Sequence, residues 1–431
     1  MTETSRLAPA GDLDHGPVQG AWPTGGATDQ GDDGRLPKVC LLTGRFPPTF
    51  GGGGLHFFKI YKYLRDHTGR PPLVVTKTEG EEIPEELRLE GVRRVALRGQ
   101  SRPRKIGCIL RVMLELWRQR QHYDILHVMG FDEMMLGGIL LGRVLAKKVV
   151  VSSVQNTVDD PAAIRKLPGG RTMERLFSLA HRFVCCSQAQ VSTYQSCGYP
   201  ADKVVLIHNG YDPEEIAGRG SDSRARARAR FGIAEHETVF LVIGSFSHRK
   251  GHDFVVDAVK RLLPATAAFK VLMVGPSKLE ENAATLRRQG SFQASVRAEI
   301  CEGGLEGHIV LAGWAPSMAE VLGASDVYLL PSRHEGFPVS LLEAMAAGLP
   351  PVLWDLPYYG GYGLEPNVHG VFVEPFDTSK LAEAMRQVVE DRDRVARMGA
   401  AARALVEGRY TLERCLETHL KLYRELSGGA G

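Results

Sequence analysis

At 431 residues the chain exceeds what one hydrophobic core supports, since single cores stop growing near ~250–300 residues, so two domains are expected. Its 43% hydrophobic and 24% charged residues exclude a largely disordered or fibrous chain. With 53 basic against 50 acidic side chains the formal charge is only +3, which excludes a whole-molecule field that would draw nucleic acid.

The seven cysteines (40, 108, 185, 186, 197, 301 and 415) show no C-x-x-C or similar ligand spacing, which predicts reduced thiols and no zinc site. Met1–Gly34 is polar and lacks the apolar run of a secretory leader, so a cytoplasmic chain is expected. The longest apolar stretch, Met134–Val144, contains Arg143 and is shorter than the ~20 residues that span a bilayer.

In chain order, residues 1–35 are rich in Gly, Asp, Pro and Thr without periodicity and are expected to form a disordered tail. From Pro37 short apolar runs (KVCLLTG, PLVVTK, DILHV, KVVVSS, RFVCCS, KVVLIHN) alternate with longer amphipathic segments, the pattern of parallel strands joined by helices. This predicts a Rossmann-like domain over 36–214. Residues 215–236, with RARARAR at 224–230, read as a linker carrying a short helix.

A second series (TVFLVIGS, FKVLMVGP, HIVLAGW, DVYLLPS, LPPVLWD, GVFVEP) predicts a second domain of the same kind over 237–408. Ala382–Glu407 and Thr411–Leu426 read as two closing helices interrupted near Gly408 to Tyr410. The C-terminal helix, placed over 409–427, is expected to pack back on the first domain, leaving 428–431 as a flexible end. The fold class is therefore α/β, with two doubly wound domains facing a cleft and ligands beyond the carboxyl ends of the strands.

The strongest chemical signal follows DVYLLPS. Ser332-Arg333-His334-Glu335-Gly336-Phe337 forms a loop, Pro338 follows, and a helix starting near Ser340 points backbone N–H groups at an anion such as phosphate. Glu335 and Glu343 border that pocket, where carboxylates can accept hydrogen bonds from sugar hydroxyls. Ser340-Leu-Leu-Glu343 also fits a capping box, which would give Glu343 a purely structural task.

The run EGFPVSLLEAMAAG resembles the EGFGLxxLEAMAxGxPVV signature of glycosyltransferase family 4, whose members have the GT-B fold, and the resemblance extends from residue 38 to 426. It implies that Glu335 contacts the transferred sugar and Glu343 the ribose, with Gly336, Phe337, Pro338, Val339, Ser340 and Leu341 lining the donor site. FPPTFGGGGLHFFKIYKYL resembles the N-terminal loop and helix, placing Gly51 and Gly52 at the donor phosphates and His56 on the acceptor side. VVLIHNGYD is similar to the segment leading to the interdomain connection.

IGSFSHRKGHD resembles the GRLxxxKG loop, which implies Lys250 and Arg249 at the diphosphate, although Ser245 stands where an arginine is usual. His127 matches the first histidine of an HxH stretch and is counted with Glu335, Lys250 and Arg249 as a catalytic candidate, the alternative being a histidine that merely ends a strand; Met129, an acceptor-side candidate, replaces the second histidine of that stretch. Asp132, Gln155 and Asn156 are weaker acceptor-side candidates. Trp314 follows a strand where relatives seat the base, and either stacking or packing suits it.

The resemblance implies retention of configuration by same-face attack on a nucleotide diphosphate sugar, with UDP or GDP as the nucleotide and an acceptor that is a small molecule, glycan or lipid. No cofactor or metal is expected, since Asp12-Leu13-Asp14 and Asp391-Arg392-Asp393 do not follow strands into the cleft. The fold also serves 2-epimerases, phosphorylases and noncatalytic sugar-nucleotide binders, and no oligomeric state is implied. Residues 102–120 combine basic and apolar side chains at helical spacing, which suits either a surface helix packed on the core or peripheral contact with an anionic membrane. Enrichment in Ala, Arg and Gly points to a high-GC bacterial source.

Overall fold

Continuous apolar runs fit strands covered on both faces, and thirteen strands form two wholly parallel sheets among the described residues. A computed structural model of the chain describes residues 38–47, 52–78, 89–97, 102–154, 159–217, 221–275, 283–313 and 317–428. The expected tail, Gly51, Gln155, Asn156 and Trp314 lie outside these residues.

The first sheet contains β1 (Val39–Thr43), β2 (Leu73–Thr78), β3 (Val92–Ala96), β4 (Ile125–Met129), β5 (Lys148–Ser152), β6 (Arg182–Cys185) and β7 (Val204–Leu206), in the order β3-β2-β1-β4-β5-β6-β7. The second contains β8 (Thr238–Ile243), β9 (Phe269–Val274), β10 (Ile309–Gly313), β11 (Val327–Leu330), β12 (Pro351–Trp354) and β13 (Val371–Val373), in the order β10-β9-β8-β11-β12-β13. Strand order reverses between β1 and β4 and again between β8 and β11. At such switch points the loops leaving adjacent strands diverge and open a crevice at the carboxyl ends.

Apolar clusters cover both faces of each sheet. The last helix, Leu412–Gly428, packs Cys415, Leu416, Leu420 and Tyr423 against Val39, Leu41, Phe57 and Ile60 of the first sheet and its first helix, Gly52–Thr68. The chain therefore passes from the first sheet to the second and later returns. The two passages touch: Tyr211 N–H donates to Tyr410 O at 2.9 Å and Leu412 N–H to Tyr211 O at 2.7 Å. A Cβ on Gly210 would lie 2.2 Å from Thr411 O, so only glycine allows this approach.

Three segments differ from the sequence expectation. β3 carries Arg93 and Arg94 in a short edge strand, where charge guards unpaired backbone and hides the apolar signal. Ala382–Glu407 is not one helix. Thr378–Glu390 and Arg392–Val406 are separated by Asp391, whose carboxylate accepts from Arg394 N–H at 2.8 Å and so caps the second.

The Arg-rich part of the expected linker is the helix Ser221–Arg230, and it belongs to the second sheet's packing. Arg224 and Arg228, one turn apart, hold opposite oxygens of Asp326 immediately before β11, and Arg228 also donates to Ala324 O and Glu237 O. Gly210→Ala is expected to cost about 1–3 kcal/mol or more, as overpacking against a backbone that cannot yield does. Urea unfolding of the variant against the wild-type chain measures it.

Candidate active site

The loop after β8 and the loop after β11 flank the second switch point, and the sequence puts opposite charges on them. The first turns through Ser247–Gly251, with Gly251 at φ 71°, and carries Arg249 and Lys250. The second carries Glu335. Lys250 Nζ lies 2.7 Å from Glu335 Oε1, and Arg249 Nη1 lies 2.8 Å from Glu335 Oε2. Both predicted cations and the first predicted glutamate thus meet in one buried cluster, Glu335 being 5% exposed.

Burial alone would raise the Glu335 carboxyl, but the Lys250 and Arg249 charges outweigh it and hold the group at about 2. Burial, reinforced by Arg249, pushes the Lys250 ammonium below its ordinary value against the opposing pull of Glu335.

A second pair fixes the loops to each other. Arg333 donates to both oxygens of Asp253, at 3.0 and 2.6 Å, and its guanidinium lies 4.1 Å from the centre of the Phe254 ring. Arg333 N–H also reaches Arg249 O at 2.8 Å. Gly244 lets the Lys250 stem lie close: a Cβ there would meet Lys250 Cε at 2.9 Å. Ser245, in the place of the usual arginine, is partly exposed beside this stem.

The predicted anion-binding helix is Val339–Ala346, capped by Pro338. Val339 and Ser340 in its first turn are partly exposed, whereas Leu341 is buried in the core and offers no side chain to a ligand. Phe337 is also turned inward: its ring packs on Tyr362, His208 and Tyr410 at 4.4–5.1 Å. Its carbonyl accepts from Asn209 Nδ2 at 2.7 Å, which ties the first domain's closing Asn-Gly segment to the loop. Gly336 faces Val154 of the first domain so closely that a Cβ would lie 2.2 Å from Val154 O.

The capping box does not form. Ser340 Oγ pairs with Tyr328 Oη at 2.8 Å, and the helix has no side-chain cap. Glu343, 8% exposed, instead has its carboxyl raised to about 7 by burial, with Glu215 and Asp212 adding to the rise and Lys59 opposing it.

On the first domain the geometry reassigns several candidates. His127 is fully buried on β4; one ring nitrogen lies 2.6 Å from Tyr423 Oη and the other 2.7 Å from Ser152 Oγ. Both nitrogens are engaged within the core, where this histidine at a strand end joins β4, β5 and the last helix. Met129 is 8% exposed and lies against Gly53, where a Cβ would meet its Sδ at 3.4 Å. Asp132 caps the helix Glu133–Val144 by accepting from Met135 N–H at 2.9 Å, and its other oxygen is 3.6 Å from Lys77 Nζ. Gly52 opens its helix, and His56, one turn on, is partly exposed.

Sequence reasoning missed Asp253 and Asn209 as parts of the site. Asp253 is separated by 80 positions from Arg333, and Asn209 in an Asn-Gly pair reads locally as a turn.

A further surface feature lies on the helix Arg102–Arg118. Cys108, Val112 and Leu116 face the core, yet Ile106, Leu110, Leu114 and Trp117 form a second apolar stripe on the opposite side, 57, 60, 43 and 48% exposed. Exposed Arg104, Lys105, Arg111 and Arg118 border it. Among the described residues no helix is long and apolar enough to cross a membrane.

Comparison with known proteins agrees with this fold. The model of glycosyl transferases group 1 matches residues 223–405 and that of glycosyltransferase family 4 matches residues 50–215. The chain is 23% identical over 382 residues to an uncharacterized glycosyltransferase of Methanocaldococcus jannaschii, covering 82% of this chain and 89% of that one. It is 24% identical over 400 residues to the GDP-mannose-dependent monoacylated alpha-(1-6)-phosphatidylinositol monomannoside mannosyltransferase of Corynebacterium glutamicum, covering 87% and 95%. Its fold matches that of Anabaena HepE crystallised with UDP and glucose, with a TM-score of 0.72 and 17% identity over 91% of this chain and 100% of that one.

Because the folded Glu335 carboxyl is depressed from 4.5 to about 2, its stabilising contribution is present above pH 4.5 and is lost as pH falls toward 2. The wild-type chain should exceed Glu335→Gln in stability by about 1–3 kcal/mol at pH 7, with the gap closing as the pH falls toward 3. Urea unfolding of both proteins across that range checks it.

Proposed function

The chain belongs to the family 4-type glycosyltransferases of the GT-B fold, and on that premise we propose that it is a retaining enzyme that transfers a sugar from a nucleotide diphosphate donor. The observation that carries this reading is the buried cluster of Glu335 with Lys250 and Arg249 at the second switch point. A donor diphosphate arriving between the two loops would take over the cations. Glu335, released from them, would accept hydrogen bonds from the sugar hydroxyls.

The first turn of Val339–Ala346 and the backbone near Gly52 would complete the phosphate cradle with N–H groups. Lys250 and Arg249 would stabilise the charge that develops on the departing nucleotide, an effect strengthened where water is excluded. These groups would take the place of a divalent ion at the diphosphate. Attack from the same face would place the acceptor hydroxyl beside the leaving phosphate oxygen, which would take its proton. Positioning and electrostatics, with no protein nucleophile, would supply the rate.

Glu343 would accept from the ribose hydroxyls of the nucleotide, for which UDP and GDP are the leading choices. Its carboxyl, raised to about 7, ionises as pH rises through neutrality, and only the ionised form is acceptor-only. Nucleotide affinity should therefore rise from pH 6 to pH 8.

The exposed stripe from Ile106 to Trp117 with its basic border supports a second element of the reading, peripheral contact of the first domain with an anionic lipid surface. Such contact would suit a lipid-linked acceptor.

Glu335→Gln and Lys250→Ala should each lower kcat by about 100-fold or more, the loss typical of removing an oxyanion-stabilising donor. Unchanged transfer kinetics would reject the assignment. Glu343→Gln should weaken UDP or GDP binding about tenfold at pH 8 and abolish its rise with pH, as read by calorimetry. Separately, the chain should sediment with phosphatidylglycerol vesicles but not with phosphatidylcholine vesicles, and Leu110→Ser combined with Trp117→Ser should remove that binding.

A further inference from the structure

Cys415 and His419 stand four residues apart on the last helix, so their side chains share one face, and that face meets His56 on the helix Gly52–Thr68. One ligand atom from each of the three residues lies within 4.8 Å of the other two. Cys415 and His419 are buried at 4 and 2% exposure, and His56 is only partly exposed.

The imidazole of His419 is held in a particular tautomer. Its Nδ1 lies 2.9 Å from Cys415 O, and a nitrogen facing a carbonyl must carry the hydrogen. Nε2 is therefore the lone-pair nitrogen, and it is buried without a hydrogen-bond partner. Such an orphan is costly, because a buried acceptor forfeits its hydration. The same arrangement, one ring N–H on a backbone carbonyl and the other nitrogen bare, is what orients histidines that ligate metals. His127 stacks at 5.8 Å from His419, but Tyr423 and Ser152 occupy both of its nitrogens, so it walls the cluster without competing for a ligand.

We propose that His56, Cys415 and His419 bind a transition-metal ion of the zinc class. Two imidazoles and one thiol suit zinc, cobalt, nickel or copper and not magnesium or calcium, which take oxygen. Tetrahedral bonds of about 2.0–2.3 Å require ligand atoms about 3.4–3.8 Å apart, so binding would draw the three ligand atoms inward from the 4.8 Å within which they lie. Three protein ligands leave the fourth position of a tetrahedral ion to water or a small anion.

None of these three residues belongs to the cluster around Glu335, and the ion supplies no step of transfer. It joins the first helix of the chain to the last. Sequence spacing concealed the site because the third ligand lies more than three hundred residues from the other two.

The test uses full-length protein stripped of metal and titrated with Co2+, then with Zn2+. Binding should saturate at one equivalent of Co2+, with a near-ultraviolet thiolate-to-cobalt charge-transfer band that Zn2+ abolishes, and Zn2+ should raise the melting temperature. Cys415→Ser should lose the band. His56→Ala, at a partly exposed position and with an unaltered metal-free circular dichroism spectrum, should weaken Co2+ binding by more than about tenfold. Absence of saturable binding in the wild-type protein, or equal affinity in His56→Ala, overturns the proposal. If Cys415→Ser does not fold, the His56→Ala comparison alone decides.

Discussion

A carboxylate that stays ionised at 5% exposure must have compensating charge, and Glu335 has two cations within 2.8 Å. This requirement governs much of the second domain. The loops after β8 and β11 must lie in register for Lys250 and Arg249 to reach the same group from the opposite loop. Their register is set by the Arg333–Asp253 pair, by the tight turn at Gly251 and by the bare Cα of Gly244. A buried pair of this kind adds little net stability over an apolar packing, yet removing one partner is expensive.

The two glutamates of one short motif have opposite properties. Glu335 is held at about 2 by adjacent cations, whereas Glu343, one turn inside the helix, is raised to about 7 by burial with Glu215 and Asp212 in the same neighbourhood. Identical side chains eight positions apart thus occupy different protonation regimes near neutral pH. The difference arises from what the tertiary structure brings to each.

Much of the architecture was legible because parallel strands covered on both faces produce unbroken apolar runs. Twelve runs marked strands, and the loop, Pro338 and the following helix were visible in the composition of 332–348. The edge strand β3 was hidden by its own arginines. Asp391 looked like one charge in a charged helix, although its carboxylate both ends one helix and starts the next. At the site, Glu335, Lys250 and Arg249 came together as their motifs implied. His127 did not, because the sequence cannot reveal that the last helix brings Tyr423 to its ring. Phe337 and Leu341 belong to a motif that serves ligand and core at once, and only packing separates the two.

The double passage of the chain at Gly210–Leu412 has a mechanical meaning. Both connections between the sheets run side by side, joined by the backbone hydrogen bonds of Tyr211. Swinging one domain about that point would twist a few neighbouring dihedrals and stretch neither strand of chain. Displacement would grow with distance from the pivot. The jaws would open around a fixed corner.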